Sequence, residues 1–199
     1  MTKIKMCGLS RPCDIEYANE VMPEYIGFVF AEKSRRYVIP EKAIELRNNL
    51  DRKIIPVGVF VNAKPEFITE LVDRKIIDMI QLHGAEDNQY IESLRQLVDV
   101  PVIQAFRIEK QEDVKKAENS PADYILLDSG MGSGKTFDHS LININRPYFL
   151  AGGLTPENVG DTVGRLRPFA VDASSSLETD GYKDLNKMIA FADAVRGKD

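Results

Sequence analysis

The side chains best suited to moving protons in this 199-residue chain are a cysteine and an aspartate that end two apolar runs. Cys7 closes KIKMC and precedes Gly8; Asp128 closes YILLD and precedes Ser129-Gly130. A thiol near pKa 8.5 is mostly protonated at neutral pH, so it acts as a base only where a cation favours the thiolate. Lys5, two residues behind Cys7, is such a cation. A carboxyl near 3.9 acts as an acid only where burial raises its pKa. Ile125, Leu126 and Leu127 make a dry surrounding for Asp128 an expectation. Taken singly, Cys7 also fits a packed core cysteine, and Asp128 a cap or turn former. Cys13 falls where the first helix should begin. With two histidines in the chain, a Cys7–Cys13 metal centre lacks ligands, and no metal is expected.

Two tracts suit an anion. Ala151-Gly152-Gly153 and Asp172-Ala173-Ser174-Ser175-Ser176 carry small residues that let backbone amides approach phosphate closely. Ser34-Arg35-Arg36 offers guanidinium groups that can grip a carboxylate bidentately, and Arg11 and Lys135 add positive charge in other loops. A ligand with phosphate at one end and carboxylate at the other suits this layout. Gly134-Lys135-Thr136 matches the tail of a nucleotide-binding P-loop, but Ser129 stands where that motif needs its first glycine. Phe137-Asp138-His139 follows instead of a long amphipathic helix, so the P-loop reading is set aside.

These residues must be positioned by a repeating scaffold. Apolar or β-branched runs recur at Lys3–Cys7, Tyr25–Phe30, Ile54–Val61, Asp78–His83, Pro101–Phe106, Asp123–Asp128, Pro147–Ala151 and Phe169–Ala173. Their starts lie roughly 22 to 30 residues apart, the interval of one strand plus one helix. Helical patterns such as Pro40–Leu50, Lys64–Arg74 and Asn88–Leu97 lie between them, with Pro40 and Pro65 at first turns. Eight such units predict an α/β fold, a single compact (β/α)8 barrel over residues 1–199; a doubly wound open sheet is the alternative. Side chains alternate across a strand. Lys5 therefore shares a face with Cys7, Gln81 with His83, and Tyr124 and Leu126 with Asp128, while Asp172 opposes Val171 and Ala173. In a barrel that polar face is the interior, at the end where active sites are built.

Composition narrows the classes further. The chain is 43% hydrophobic and 29% charged with net charge -5, so nothing global suggests nucleic acid. The longest apolar runs fall short of a membrane span, and MTKIKMCGLSRP lacks a signal core. With two cysteines, a cytoplasmic protein without a disulfide framework is expected, and a monomer is the default.

The tracts KMCGLSRP, KSRRYV, VGVFVN, QLHG, LLDSGMGSGKTFD, AGGLTPENV and RPFAVDASS, in that order along nearly the whole chain, resemble the phosphoribosylanthranilate isomerase family of tryptophan biosynthesis. The resemblance implies a (β/α)8 barrel that performs an Amadori rearrangement on a phosphorylated small molecule without metal or organic cofactor. It implies Cys7 as general base and Asp128 as general acid, with Arg36 holding the anthranilate carboxylate. Gly152, Gly153, Ser174 and Ser175 would help bind phosphate, and Lys5, His83 and Asp172 would line the substrate site. Two positions depart from the family pattern. Ser176 stands where glycine follows the paired serines, and His139 where tryptophan is frequent. The related aminoaldose isomerase of histidine biosynthesis is the runner-up, but its pattern ends the first strand with aspartate. A non-catalytic sugar-phosphate sensor on the same barrel would leave Cys7 and Asp128 without a role.

Overall fold

The computed structural model describes residues 1–128, 142 and 144–197. Its barrel strands are β1 (Lys3–Cys7), β2 (Tyr25–Val29), β3 (Ile55–Phe60), β4 (Met79–Leu82), β5 (Val102–Arg107), β6 (Tyr124–Asp128), β7 (Tyr148–Ala151) and β8 (Ala170–Ala173). Each runs parallel to the next, and β8 returns to pair with β1, so the sheet is closed and the open-sheet alternative fails. Six strands are a residue or two shorter than the apolar runs, β1 matches its run, and β5 has the expected length shifted by one residue. Pro101 and Pro147 explain two of the late starts, because proline has no amide hydrogen to give the ladder. Pro101 still accepts a bond from the Ile80 amide at 3.0 Å.

The described helices are α1 (Pro12–Val21), α2 (Pro40–Asn48), α3 (Pro65–Asp73), α4 (Asn88–Arg95), α5 (Gln111–Glu118), α6 (Pro156–Leu166) and α7 (Leu185–Arg196). Proline opens α1, α2, α3 and α6, where a missing amide hydrogen costs nothing. The helices α2 and α4 stop short of the predicted Leu50 and Leu97. The glycine-rich segment after Asp128, with Gly134, Lys135, Thr136 and His139, lies outside the described residues.

Alternation along the strands divides the core as predicted. Ile4, Met6, Ile80, Leu82, Ile125, Leu127 and Val171 face outward and pack under the helices. Tyr25, Val57, Met79, Ile103, Leu126, Phe149 and Ala170 form a separate apolar cluster inside the barrel. Inward residues nearer the carboxyl ends of the strands are polar, and they make the mouth. Between β8 and α7 the chain adds elements outside the eight-unit pattern: a 3-10 turn (Ser175–Leu177) and a small hairpin of β9 (Glu178–Thr179) and β10 (Tyr182–Lys183). Asp180 and Gly181 join the hairpin with φ of 52° and 84°, the doubly left-handed turn that an Asp-Gly pair favours.

Candidate active site

An ion pair lies at the centre of the mouth. Lys5 and Asp172 are register partners on β1 and β8, and Lys5 Nζ donates to both carboxylate oxygens at 3.0 Å. Lys5 is wholly buried. Burial works against its charge, but Asp172, with Cys7, more than offsets that and holds the ammonium above its ordinary pKa. Removing one member of such a buried pair leaves an uncompensated charge and costs about 3–5 kcal/mol.

Cys7 lies one inward position beyond Lys5, beside Val29 and Val59. Gly27 on β2 makes room for it, since a Cβ there would sit 2.6 Å from Cys7 Sγ. The thiol differs from the sequence expectation in one respect. Burial pushes its pKa up, and the Asp172 carboxylate adds to the rise, against the pull of Lys5 and Lys183. Lys5 does not create a standing thiolate because burial outweighs its pull, and Asp172 offsets part of its charge.

Asp128 ends β6 and faces His83, with Nε2 and Oδ2 3.6 Å apart. The dry surrounding expected for it is only partial, and its side chain is 25% exposed. Parity explains this: Ile125 and Leu127 point to the helices, and only Leu126 shares the inward face. His83 follows β4, and its Nδ1 lies 3.0 Å from Gln81 Nε2. Asp172 lies within electrostatic reach of both His83 and Asp128 as well as of Lys5, so the predicted polar residues of β1, β4, β6 and β8 form one electrostatic group.

Arg36 is not a loose cation. Its Nε donates to Glu178 Oε1 at 2.6 Å and its Nη2 to Oε2 at 2.9 Å. Arg35 reaches Oε2 of the same carboxylate at 2.6 Å, and the buried Lys183 reaches Oε1 at 2.7 Å. Burial alone would raise the Glu178 pKa, but Arg36 and Lys183 hold it below its ordinary value. Gly8, just past β1, lets the Arg36 stem approach closely, because with φ +83° it turns the chain and a Cβ would lie 2.3 Å from Arg36 Cδ. Arg11 is committed elsewhere. It pairs with Asp14 at 2.7 Å, donates to the Lys183 carbonyl at 2.9 Å and covers the Tyr182 ring. It therefore contributes to packing the hairpin rather than lying open for an anion, as the sequence had suggested.

The two candidate phosphate loops are neighbours, since β7 pairs with β8. Gly152 and Gly153 turn the chain out of β7 with φ of 90° and 65°, and Thr155 and Asn158 form the capping box that opens α6. In the loop after β8, Ser174 Oγ donates to the Cys7 carbonyl at 2.9 Å, which ties that loop to the end of β1. Lys183 Nζ donates to the Ser174 carbonyl at 3.0 Å. Ser175 is exposed where the 3-10 turn begins.

Acid, base and cation groups thus converge over a closed barrel, and comparison with known proteins decides which family this is. A family model described as N-(5'phosphoribosyl)anthranilate (PRA) isomerase matches residues 4–194. The chain belongs to this family. The N-(5'-phosphoribosyl)anthranilate isomerase of Thermoanaerobacter sp. (strain X514) is 41% identical over 205 residues, covering 99% of each chain. That of Endomicrobium trichonymphae is 42% identical over 202 residues, covering 98% of this chain and 99% of its own. Among solved structures, phosphoribosyl anthranilate isomerase from Thermotoga maritima superposes with a TM-score of 0.89 at 36% identity, covering 99% of this chain and 100% of that one. Another phosphoribosyl anthranilate isomerase was solved with reduced 1-(o-carboxyphenylamino)-1-deoxyribulose 5-phosphate bound. It superposes with a TM-score of 0.84 at 31% identity, covering 99% of this chain and 100% of that chain. The protein is therefore an isomerase of this family.

Glu178 and Lys183 belong to the site but were not among the residues singled out from the sequence. The signal that could have found them is Asp180-Gly181, a hairpin turn pair flanked by Glu178-Thr179 and Tyr182-Lys183.

Proposed function

We propose that this isomerase converts N-(5-phosphoribosyl)anthranilate to 1-(2-carboxyphenylamino)-1-deoxyribulose 5-phosphate in tryptophan biosynthesis, with Asp128 as general acid and Cys7 as general base. The observation that carries the reading is the shared mouth: Asp172 interacts electrostatically with Cys7 on one side and with Asp128 on the other. Asp128 protonates the furanose ring oxygen, the ring opens, and the C1′ nitrogen becomes an iminium. Cys7 then takes the proton from C2′, giving an enolamine that tautomerises to the ketone.

The raised Cys7 pKa fits this order of events. Because burial favours the thiol, its proton passes to solvent before the reaction, and the less common thiolate is then a stronger base. The iminium formed in the first step acidifies C2′ as the second begins. The active form pairs a carboxylic acid at Asp128 with a thiolate at Cys7, so one proton is shared between two coupled sites. Arg36 takes the anthranilate carboxylate on its Nη1 edge while Glu178 holds the Nε and Nη2 edge. This division leaves the guanidinium oriented before substrate arrives. Gly152, Gly153, Ser174 and Ser175 bind the phosphate through backbone amides, and Lys5, His83 and Asp172 line the reacting sugar.

Turnover of phosphoribosylanthranilate generated in situ, followed by loss of its fluorescence, tests the reading directly. The expected result is conversion to the deoxyribulose product, inhibited competitively by inorganic phosphate. Binding of a reduced product analogue without turnover would instead indicate a sugar-phosphate sensor.

A further inference from the structure

We propose that Gln81 is a positioning residue that donates from its buried amide to Nδ1 of His83 and so fixes the imidazole proton on Nε2, facing Asp128. The inference rests on the roles proposed above for Asp128 but concerns a residue and a property that those roles leave open.

Gln81 is 1% exposed on the inward face of β4, one pleat below His83. Two residues on the same face of a strand stand close enough to touch, and Gln81 Nε2 lies 3.0 Å from His83 Nδ1. At the other end of the amide, Oε1 is buried without a hydrogen-bond partner among the described residues. An orphaned buried acceptor is costly, and an apolar side chain of the same shape would avoid that cost. Its neighbours on the inward face, Val59 of β3 and Ile103 of β5, are apolar. A glutamine kept there at that cost points to the work of its other end.

That work is the choice of tautomer. A neutral imidazole has one donor and one acceptor nitrogen, and the partner of one ring atom sets the role of the other. With Nδ1 accepting from Gln81, Nε2 carries the hydrogen and points toward Asp128 Oδ2, 3.6 Å away. The separation exceeds a direct hydrogen bond, as catalytic contacts often do before ligand tightens them. The opposite tautomer would turn a lone pair on Asp128, and that nitrogen could take the proton meant for the sugar ring oxygen. A donor at Nε2 cannot do so. It steadies the carboxylate that Asp128 becomes once its proton has left. Among the described residues, Asp172 on β8 lies within electrostatic reach of both groups and is itself paired with Lys5 on β1.

The test is a long-range 1H–15N correlation spectrum of the uniformly labelled full-length protein, with the second histidine assigned through His139→Gln. The expected wild-type pattern is a protonated Nε2 and an unprotonated Nδ1 at His83. Gln81→Leu should broaden or shift that pattern toward mixed tautomers and lower kcat about tenfold, the loss of roughly one buried hydrogen bond. KM should stay within about twofold, since binding groups are untouched. Gln81→Glu, which can only accept when ionised, should draw a proton to Nδ1 and move the pH profile of kcat. A wild-type spectrum with the proton on Nδ1 overturns the proposal, and so does an unchanged His83 pattern in Gln81→Leu. Should Gln81→Leu fail to fold, the wild-type and Gln81→Glu spectra decide the matter. The spectra read the tautomer without turnover, so failure of the acid–base assignment and failure of this inference are separately visible.

Discussion

The two ends of the barrel interior are made by the same strands and hold opposite contents. Toward the amino ends, Tyr25, Tyr124, Phe149 and Phe169 pack ring against ring, with centroid separations from 4.9 Å (Tyr124–Phe169) to 5.8 Å (Tyr124–Phe149). Lys3 lies over this cluster, its Nζ 4.5 Å from the Phe169 centroid. Toward the carboxyl ends, the inward positions of β1, β4, β6 and β8 carry Lys5, Cys7, Gln81, Asp128 and Asp172 instead. An aromatic floor gains stability from burial and ring geometry. A mouth of buried charges gains little net stability, because desolvation cancels much of the Coulombic attraction. The contrast teaches that the mouth is not optimised for folding. Its cost is borne by the floor and by the helix-covered outer core.

If the two ends are separable in this way, breaking one should spare the other. Phe149→Ala in the floor should produce a large change in stability. Phe149 is fully buried against three rings, and truncating such a residue costs about 3–5 kcal/mol. Denaturant melts should show that loss, while kcat per folded molecule stays within a few-fold of wild type. A folded Phe149→Ala protein with kcat reduced a hundredfold would show that floor and mouth are coupled.

At the mouth, Arg36→Met should leave kcat nearly intact and raise KM, by roughly the 1.5–3 kcal/mol of a charged hydrogen bond. Glu178→Gln should act in the same direction but less, because it loosens the guanidinium without removing it. An unchanged KM in Arg36→Met would exclude Arg36 as a ground-state clamp.

Much of this arrangement was legible in the sequence, because period-two alternation needs only neighbouring residues. It put Lys5 with Cys7, Gln81 with His83 and Leu126 with Asp128 on the inward face, and it called for eight parallel units. The rest depended on partners distant in the chain. Asp172, 167 residues from Lys5, offsets part of the charge that was expected to ionise Cys7. Glu178 stands 142 residues from Arg36 and turns a free-looking guanidinium into one already held. The strands of the added hairpin are two residues each, too short for a hydrophobic pattern.

The smallest expected effect concerns the thiol itself. Its pKa is raised in the folded protein, so the folded state binds that proton more tightly than the unfolded chain does. The resulting stability is fully present below the unfolded thiol value, about 8.5. It is lost as pH rises through that value toward the higher folded one. Thermal melts of wild type should therefore fall more steeply above that pH than melts of Cys7→Ala. Parallel curves would mean that the buried thiol resists ionisation no more than a free one.

The central claim is that Cys7 removes the C2′ proton, and Cys7→Ser tests it most directly. Serine is nearly the same shape but far less readily ionised, so folding and binding of a reduced product analogue should survive. The account predicts kcat at least about a hundredfold below wild type, the lower end of general acid–base catalysis. Near-wild-type kcat in Cys7→Ser would contradict the account and leave Cys7 a packed core cysteine.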